Sequence, residues 1–164
     1  MALSGPPVDR PKQAMYAPFD DSTRKEYAKF WEGFERDARQ SAYLSNQAKF
    51  TEARQRLDVA SLLKEGWDTY DAEPPNPNSV TESGKILTAL ETHNLPPTRV
   101  MASAEGGIGI SFVEGESRAE IEVFNTGEVV AATYTSQSEP VVWEIGQGQS
   151  LEAAIERIRV HLAN

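Results

Sequence analysis

Four aromatic residues recur at helical spacing near the start of the chain. Tyr27, Phe30, Trp31 and Phe34 stand at i, i+3, i+4 and i+7 within STRKEYAKFWEGFERDARQSAYLS. That spacing puts four rings on one stripe of a helix, and Asp21 or Ser22 can cap it. A second helical stretch, NQAKFTEARQRLDVASLLKEG, follows with little punctuation. Ala48, Thr51 and Gln55 dilute its apolar face, whereas Leu57, Ala60, Leu63 and Lys64 fit a helix ending at Gly66. Glycine at that place suits a left-handed C-cap.

After a proline-rich connection, SVTESGKILTALETHN presents Val80, Leu87 and Leu90 on one side with Ile86 beside them, and LPP at 95–97 ends the helix. Asn78 or Ser79 is the expected N-cap. From Thr98 the apolar period falls from 3.6 to 2. RVMASA reads as a strand; Ile108, Ile110 and Phe112 share one face of the next; Ala119, Ile121 and Val123 share one face of a third. On that third strand Glu120 and Glu122 point the opposite way. EVVAATYT and PVVWEI complete the set, and short Gly-containing connections join the strands as neighbouring antiparallel partners. Ser150 caps a last helix whose stripe is Leu151, Ala154, Ile155, Ile158 and Leu162, with Arg157 and Arg159 toward its C-terminal half.

The pattern predicts an α+β chain: a helical arm, a helix, an antiparallel meander of four or five strands, and a C-terminal helix packed on the sheet. Three segments are expected. Residues 1–20 form a disordered Pro-rich tail, 21–60 a helical arm bearing the aromatic stripe, and 61–164 an acidic α+β domain.

Charge sharpens that division. Residues 1–58 hold ten Lys/Arg against nine Asp/Glu, while residues 59–164 hold six against sixteen. An acidic domain argues against direct nucleic-acid binding, which needs cations for the phosphates, and favours solubility or a partner with a basic surface. The chain contains no cysteine and two histidines. Disulfides, thiolate catalysis and Cys-ligated zinc are thereby excluded, and a His-rich metal centre is disfavoured. With no secretory leader and no long apolar run in this sequence, the expectation is a cytoplasmic protein without a membrane span.

The connection EGWDTYDAEPPNPNSV holds an aromatic pair, acids and prolines between two helices. As a brace, Trp67 and Tyr70 pack on the domain while Pro74 and Pro75 fix the path of the chain. As a ligand site, the rings form walls and Asp68, Asp71 and Glu73 accept hydrogen bonds. A divalent-cation loop on the same acids lacks the glycine turn and distal bidentate acid of an EF-hand. The brace is the favoured reading.

The order GWDTYDAEPPNPNSV, helix, LPPTRVMASAEGGIGISF, AEIEVFNTGEV resembles a set of small uncharacterised bacterial proteins. Their pattern runs G-W-D-x-Y-x-A-x-P-P, helix, then a Gly-Gly hairpin. Gly66, Trp67, Asp68, Tyr70, Ala72, Pro74 and Pro75 carry its first part, and Gly106, Gly107 and Ile108 its second. Asp71 stands where that pattern has glycine, and Ser103 where it has proline. The resemblance spans roughly residues 62–130, implies an association with mobile genetic elements, and brings no activity with it.

No catalytic signature emerges. Glu120 and Glu122 are expected on an open, solvated face where nothing separates their pKa values. His93 and His161 sit at helix ends, no G-x-S-x-G elbow occurs, and GGIGI leads into a strand with no following Lys-Ser/Thr. No cofactor and no metal are expected. The expected role is a non-enzymatic protein–protein interaction module, such as an antitoxin-like regulator, an inhibitor or an accessory subunit. Tyr27, Phe30, Trp31 and Phe34 would grip another protein, and the acidic face of Glu120 and Glu122 would steer it; a homo-oligomer is also allowed. The alternatives are a small-ligand sensor with a pocket at Trp67 and Tyr70, and an acid–base enzyme with an unrecognised carboxylate pair.

Overall fold

A computed structural model describes residues 21–68, 71–146 and 148–164. The proline-rich tail at 1–20 and Tyr70 therefore lie outside the described residues, as does the side chain of Tyr27. The chain divides into two compact units, Met1–Ser41 and Ala42–Asn164.

Helix α1 runs without interruption over Asp21–Ser61. The two helical stretches of the sequence are thus one, because neither proline nor a left-handed residue interrupts the segment between them. In the first unit, the described residues 21–41 are all helical. Glu35 and Arg39 support this turn with an ion pair of 2.9 Å at i, i+4 spacing.

The second unit contains the core. Its part of α1 contributes Phe50, 1% exposed, with Ala53, Leu57 and Ala60. This corrects the boundary expected near residue 60: the folded unit begins at Ala42, and the last turns of α1 belong to it. Ala48, Thr51 and Gln55, which dilute the apolar period, are exposed, and the core contacts stand on the opposite face of the helix. After Ser61 the chain leaves the helix through a turn in which Gly66 takes φ +76°. The helix therefore stops short of Gly66, although the glycine serves the reversal.

Helix α2 spans Pro77–Thr92. Its N-cap is Asn76 and not Asn78 or Ser79: the Asn76 side chain accepts from the amides of Asn78 and Ser79 at 3.0 and 2.9 Å. Pro77 at the first helical position explains the shift, since a first-turn residue has no intrahelical partner for its N–H. At the other end, Asn94 adopts φ +51°, and the Leu95 amide returns to the Leu90 carbonyl at 2.9 Å.

Five antiparallel strands follow in sequential order: β1 (Arg99–Ala102), β2 (Gly107–Glu114), β3 (Ser117–Phe124), β4 (Val129–Thr135) and β5 (Val141–Ile145). The register pairs Ile110 with Ile121 and Ile121 with Ala131, so the apolar residues of β2, β3 and β4 line up on one face. Helix α3 (Leu151–Leu162), capped by Ser150, covers that face with Ile155 and Ile158, beside Ile86, Leu87 and Leu90 of α2. Arg157 of α3 lies 3.9 Å above the Trp143 ring of β5. The edge strand β5 exposes Val141 and Val142, and Pro140 ahead of it has no N–H to offer a further strand. The fold is α+β, as the periodicity predicts.

Candidate interaction surface

The aromatic stripe is open to solvent. Phe30, Trp31 and Phe34 are 65%, 54% and 58% exposed. Their rings touch one another edge to face, with centroids 5.7 Å apart for Phe30 and Trp31 and 5.8 Å for Trp31 and Phe34. The helical turn brings Trp31 and Phe34 together at i, i+3 spacing, and the size of the rings lets Phe30 reach the neighbouring Trp31. T-shaped contacts of this kind align the rings on one another but leave most of their area in water. Three large rings held together on a helix make a surface of the type that anchors protein–protein contacts. In the second unit Tyr43 and Leu44 are likewise more than half exposed.

The Trp-Asp-x-Tyr connection is arranged differently. Trp67 packs against the core, and its indole nitrogen is buried without a hydrogen-bond partner. The Asp68 carboxylate accepts from the Ala72 amide at 3.1 Å, closing a local turn around Asp71, which sits at φ +63°. Aspartate tolerates that left-handed backbone better than most residues. Ala72 and Pro75 are buried.

Asn125, in the turn between β3 and β4, then locks the proline segment. Its side-chain nitrogen donates to the Pro74 carbonyl at 3.0 Å, and its side-chain oxygen accepts from the Asn76 amide at 2.8 Å and the Ser79 hydroxyl at 2.9 Å. Asn76 returns a bond to the Asn125 carbonyl at 2.9 Å. Prolines supply carbonyls without amides, so an amide side chain from outside is a suitable partner. Pro74, Pro75 and Asp68 are structural parts of this connection.

Beside Trp67 lies an open groove of about 520 Å³, bordered among others by Val59, Leu63, Arg99 and Met101. Among the described residues, no group of three or more His, Asp or Glu side chains comes together in a way that could hold a metal ion.

The open face of the sheet carries Glu120 and Glu122, as expected, but not as a row of glutamates. The register sets Arg99 level with Ser111 and Glu120, and sets Arg118 on the same face of β3. Glu122 accepts from the Ser103 hydroxyl, and Glu120 from the Tyr134 hydroxyl at 3.3 Å. Burial, then the Glu120 charge and hydrogen bond, push the Tyr134 phenol above its ordinary range. Glu144 of β5 stands level with Val130 and Glu122, so Glu120, Glu122 and Glu144 share this face with Arg99 and Arg118, and carboxylates and guanidinium groups are interspersed on it.

Both histidines are engaged structurally. His93 caps α2 and its carbonyl accepts from Arg159, while a His161 ring nitrogen lies 3.0 Å from the Tyr134 carbonyl. No helix among the described residues is long and apolar enough to cross a membrane.

Nothing local in the sequence singles out the role of Asn125, whose partners lie 46 to 51 residues away. Its only local signal is the Asn-Thr-Gly turn. Comparisons with family models, with curated proteins and with solved structures find no match to this chain.

Proposed function

We propose that this chain is a non-enzymatic contact protein that binds another polypeptide through the aromatic stripe of α1. A regulator, an antitoxin-like inhibitor or an accessory subunit would all use such a surface. The observation that carries the reading is the exposure of Phe30, Trp31 and Phe34 as one touching cluster. Burying three rings that are each more than half exposed offers roughly 300 Å² of aromatic area, worth several kcal/mol at about 25 cal/mol per Å² before ordering costs. Were the bound polypeptide basic, the excess of carboxylates in the second unit would add long-range attraction that salt weakens.

The test is capture from the source cell with tagged wild-type chain and with a Trp31→Ala/Phe34→Ala double variant. Loss of a specific protein from the variant supports the reading. Equal recovery of every protein by both refutes it.

A second reading rests on the groove beside Trp67, which would suit a small ligand with an apolar body and an anionic end toward Arg99. A metabolite screen read by tryptophan emission tests it, and a flat response removes it.

A further inference from the structure

We infer that the polypeptide gripped by the stripe is a second copy of this chain. This rests on the reading of the stripe as a contact surface and names what covers it. Two observations favour a copy over an unrelated partner, and a third bounds the strength of the contact.

Charge comes first. Residues 21–41 hold five Lys/Arg and five Asp/Glu, intermixed, whereas residues 42–164 hold nine against eighteen. The arm is therefore the part of the molecule that can approach its own like without net repulsion. A groove on a basic partner would select an acidic helix, and this helix is neutral.

Symmetry is the second. The ring spacing of three, one and three residues reads the same in both directions. An antiparallel pairing about a two-fold axis between positions 30 and 31 lays stripe on stripe, with Phe30 of one copy over Trp31 of the other. A two-fold contact requires such a self-complementary patch.

Size is the third. The three exposed rings of each copy supply roughly 600 Å² for the pair, which reaches the lower limit of a specific interface, about 1,200 Å², only with the flanking helix surface added. A contact at that lower limit belongs to the class of weak, reversible associations.

Sedimentation equilibrium of the purified full-length chain tests this over roughly 1–100 μM, at low and at high salt. The expected result is a monomer–dimer equilibrium whose affinity holds or rises with salt, because screening relieves repulsion between acidic units. Phe30→Ala/Phe34→Ala should weaken the dimer about tenfold or more with helix content unchanged by circular dichroism, and Val142→Lys on β5 should leave it intact. A wild-type chain that stays monomeric throughout overturns the inference, as does a dimer that persists undiminished in the double alanine variant or one that loosens tenfold with salt. The contact reading fails separately: it falls only if the stripe variants also capture every protein that the wild type captures.

Discussion

Asn125 and Asn76 bind each other twice: the Asn76 amide donates to the Asn125 side-chain oxygen at 2.8 Å, and the Asn76 side chain donates to the Asn125 carbonyl at 2.9 Å. One residue belongs to the β3–β4 turn and the other caps α2. The pair therefore joins the sheet to the helix N-terminus across the proline segment, and it makes that segment a brace. Asn125→Ala leaves the Pro74 carbonyl, the Asn76 amide and the Ser79 hydroxyl without this partner in a partly buried setting. The expected cost is about 2–3 kcal/mol, read from the urea midpoint with an unchanged m-value. A loss below about 0.5 kcal/mol would show that the network contributes little to stability.

Gly107 and Gly115 separate two uses of glycine. At Gly107, φ is +137° and an added Cβ would stand 2.1 Å from the Val123 carbonyl oxygen on the neighbouring strand. Gly107→Ala should thus cost about 3 kcal/mol or more, since backbone must move to admit the methyl group. At Gly115, φ is +54° and a Cβ would meet nothing. Gly115→Ala should cost only the left-handed penalty of about 1 kcal/mol. Thermal unfolding of the two variants side by side checks the ranking, and equal losses would contradict it.

Tyr134 supplies a pH dependence with a defined sign. Its phenol is held above the ordinary tyrosine range, first by burial and then by Glu120. A group raised on folding stabilises the fold fully below its unfolded value, and that contribution disappears as pH climbs through the folded value. Stability should fall in the alkaline range accordingly. Glu120→Gln removes the charge and leaves the burial, so the Tyr134 midpoint should drop part of the way toward ordinary tyrosine. Absorbance titration of phenolate formation, by difference between the two proteins, measures this. An unmoved midpoint would mean that Glu120 has no hold on the phenol.

How much of this was legible from sequence depends on how local each cause is. Strands β2, β3 and β4 were readable because Ile108, Ile110, Ile121 and Val123 alternate with polar neighbours, and helix α3 was readable from Ile155 and Ile158 at helical spacing. The inner half of α1 is obscure in the sequence because Ala48, Thr51 and Gln55 lie on its exposed side, while the core side offers only Phe50 and Leu57 as large apolar residues, between Ala53 and Ala60. The cap of α2 lies two or three residues ahead of the expected Asn78 or Ser79, because Pro77 is a good first helical residue and leaves Asn76 as the cap. Asn125 could not be found, because its meaning lies in partners far along the chain. The open sheet face could not be judged from β3 alone, since Arg99 comes from another strand. The stripe itself was visible in the sequence, but its exposure was not: spacing places rings on one side of a helix and says nothing about what covers them.

The central claim is that the Trp31 ring is open in the free chain and covered in a complex. Acrylamide quenching of Trp31, in a chain with Trp67→Phe and Trp143→Phe, addresses it directly. In the dilute monomer the quenching should be nearly as steep as in the urea-unfolded chain, and it should drop severalfold when the bound polypeptide is present. Shallow quenching in the dilute monomer would place the ring within its own fold and contradict the account, and so would steep quenching that the bound polypeptide leaves unchanged.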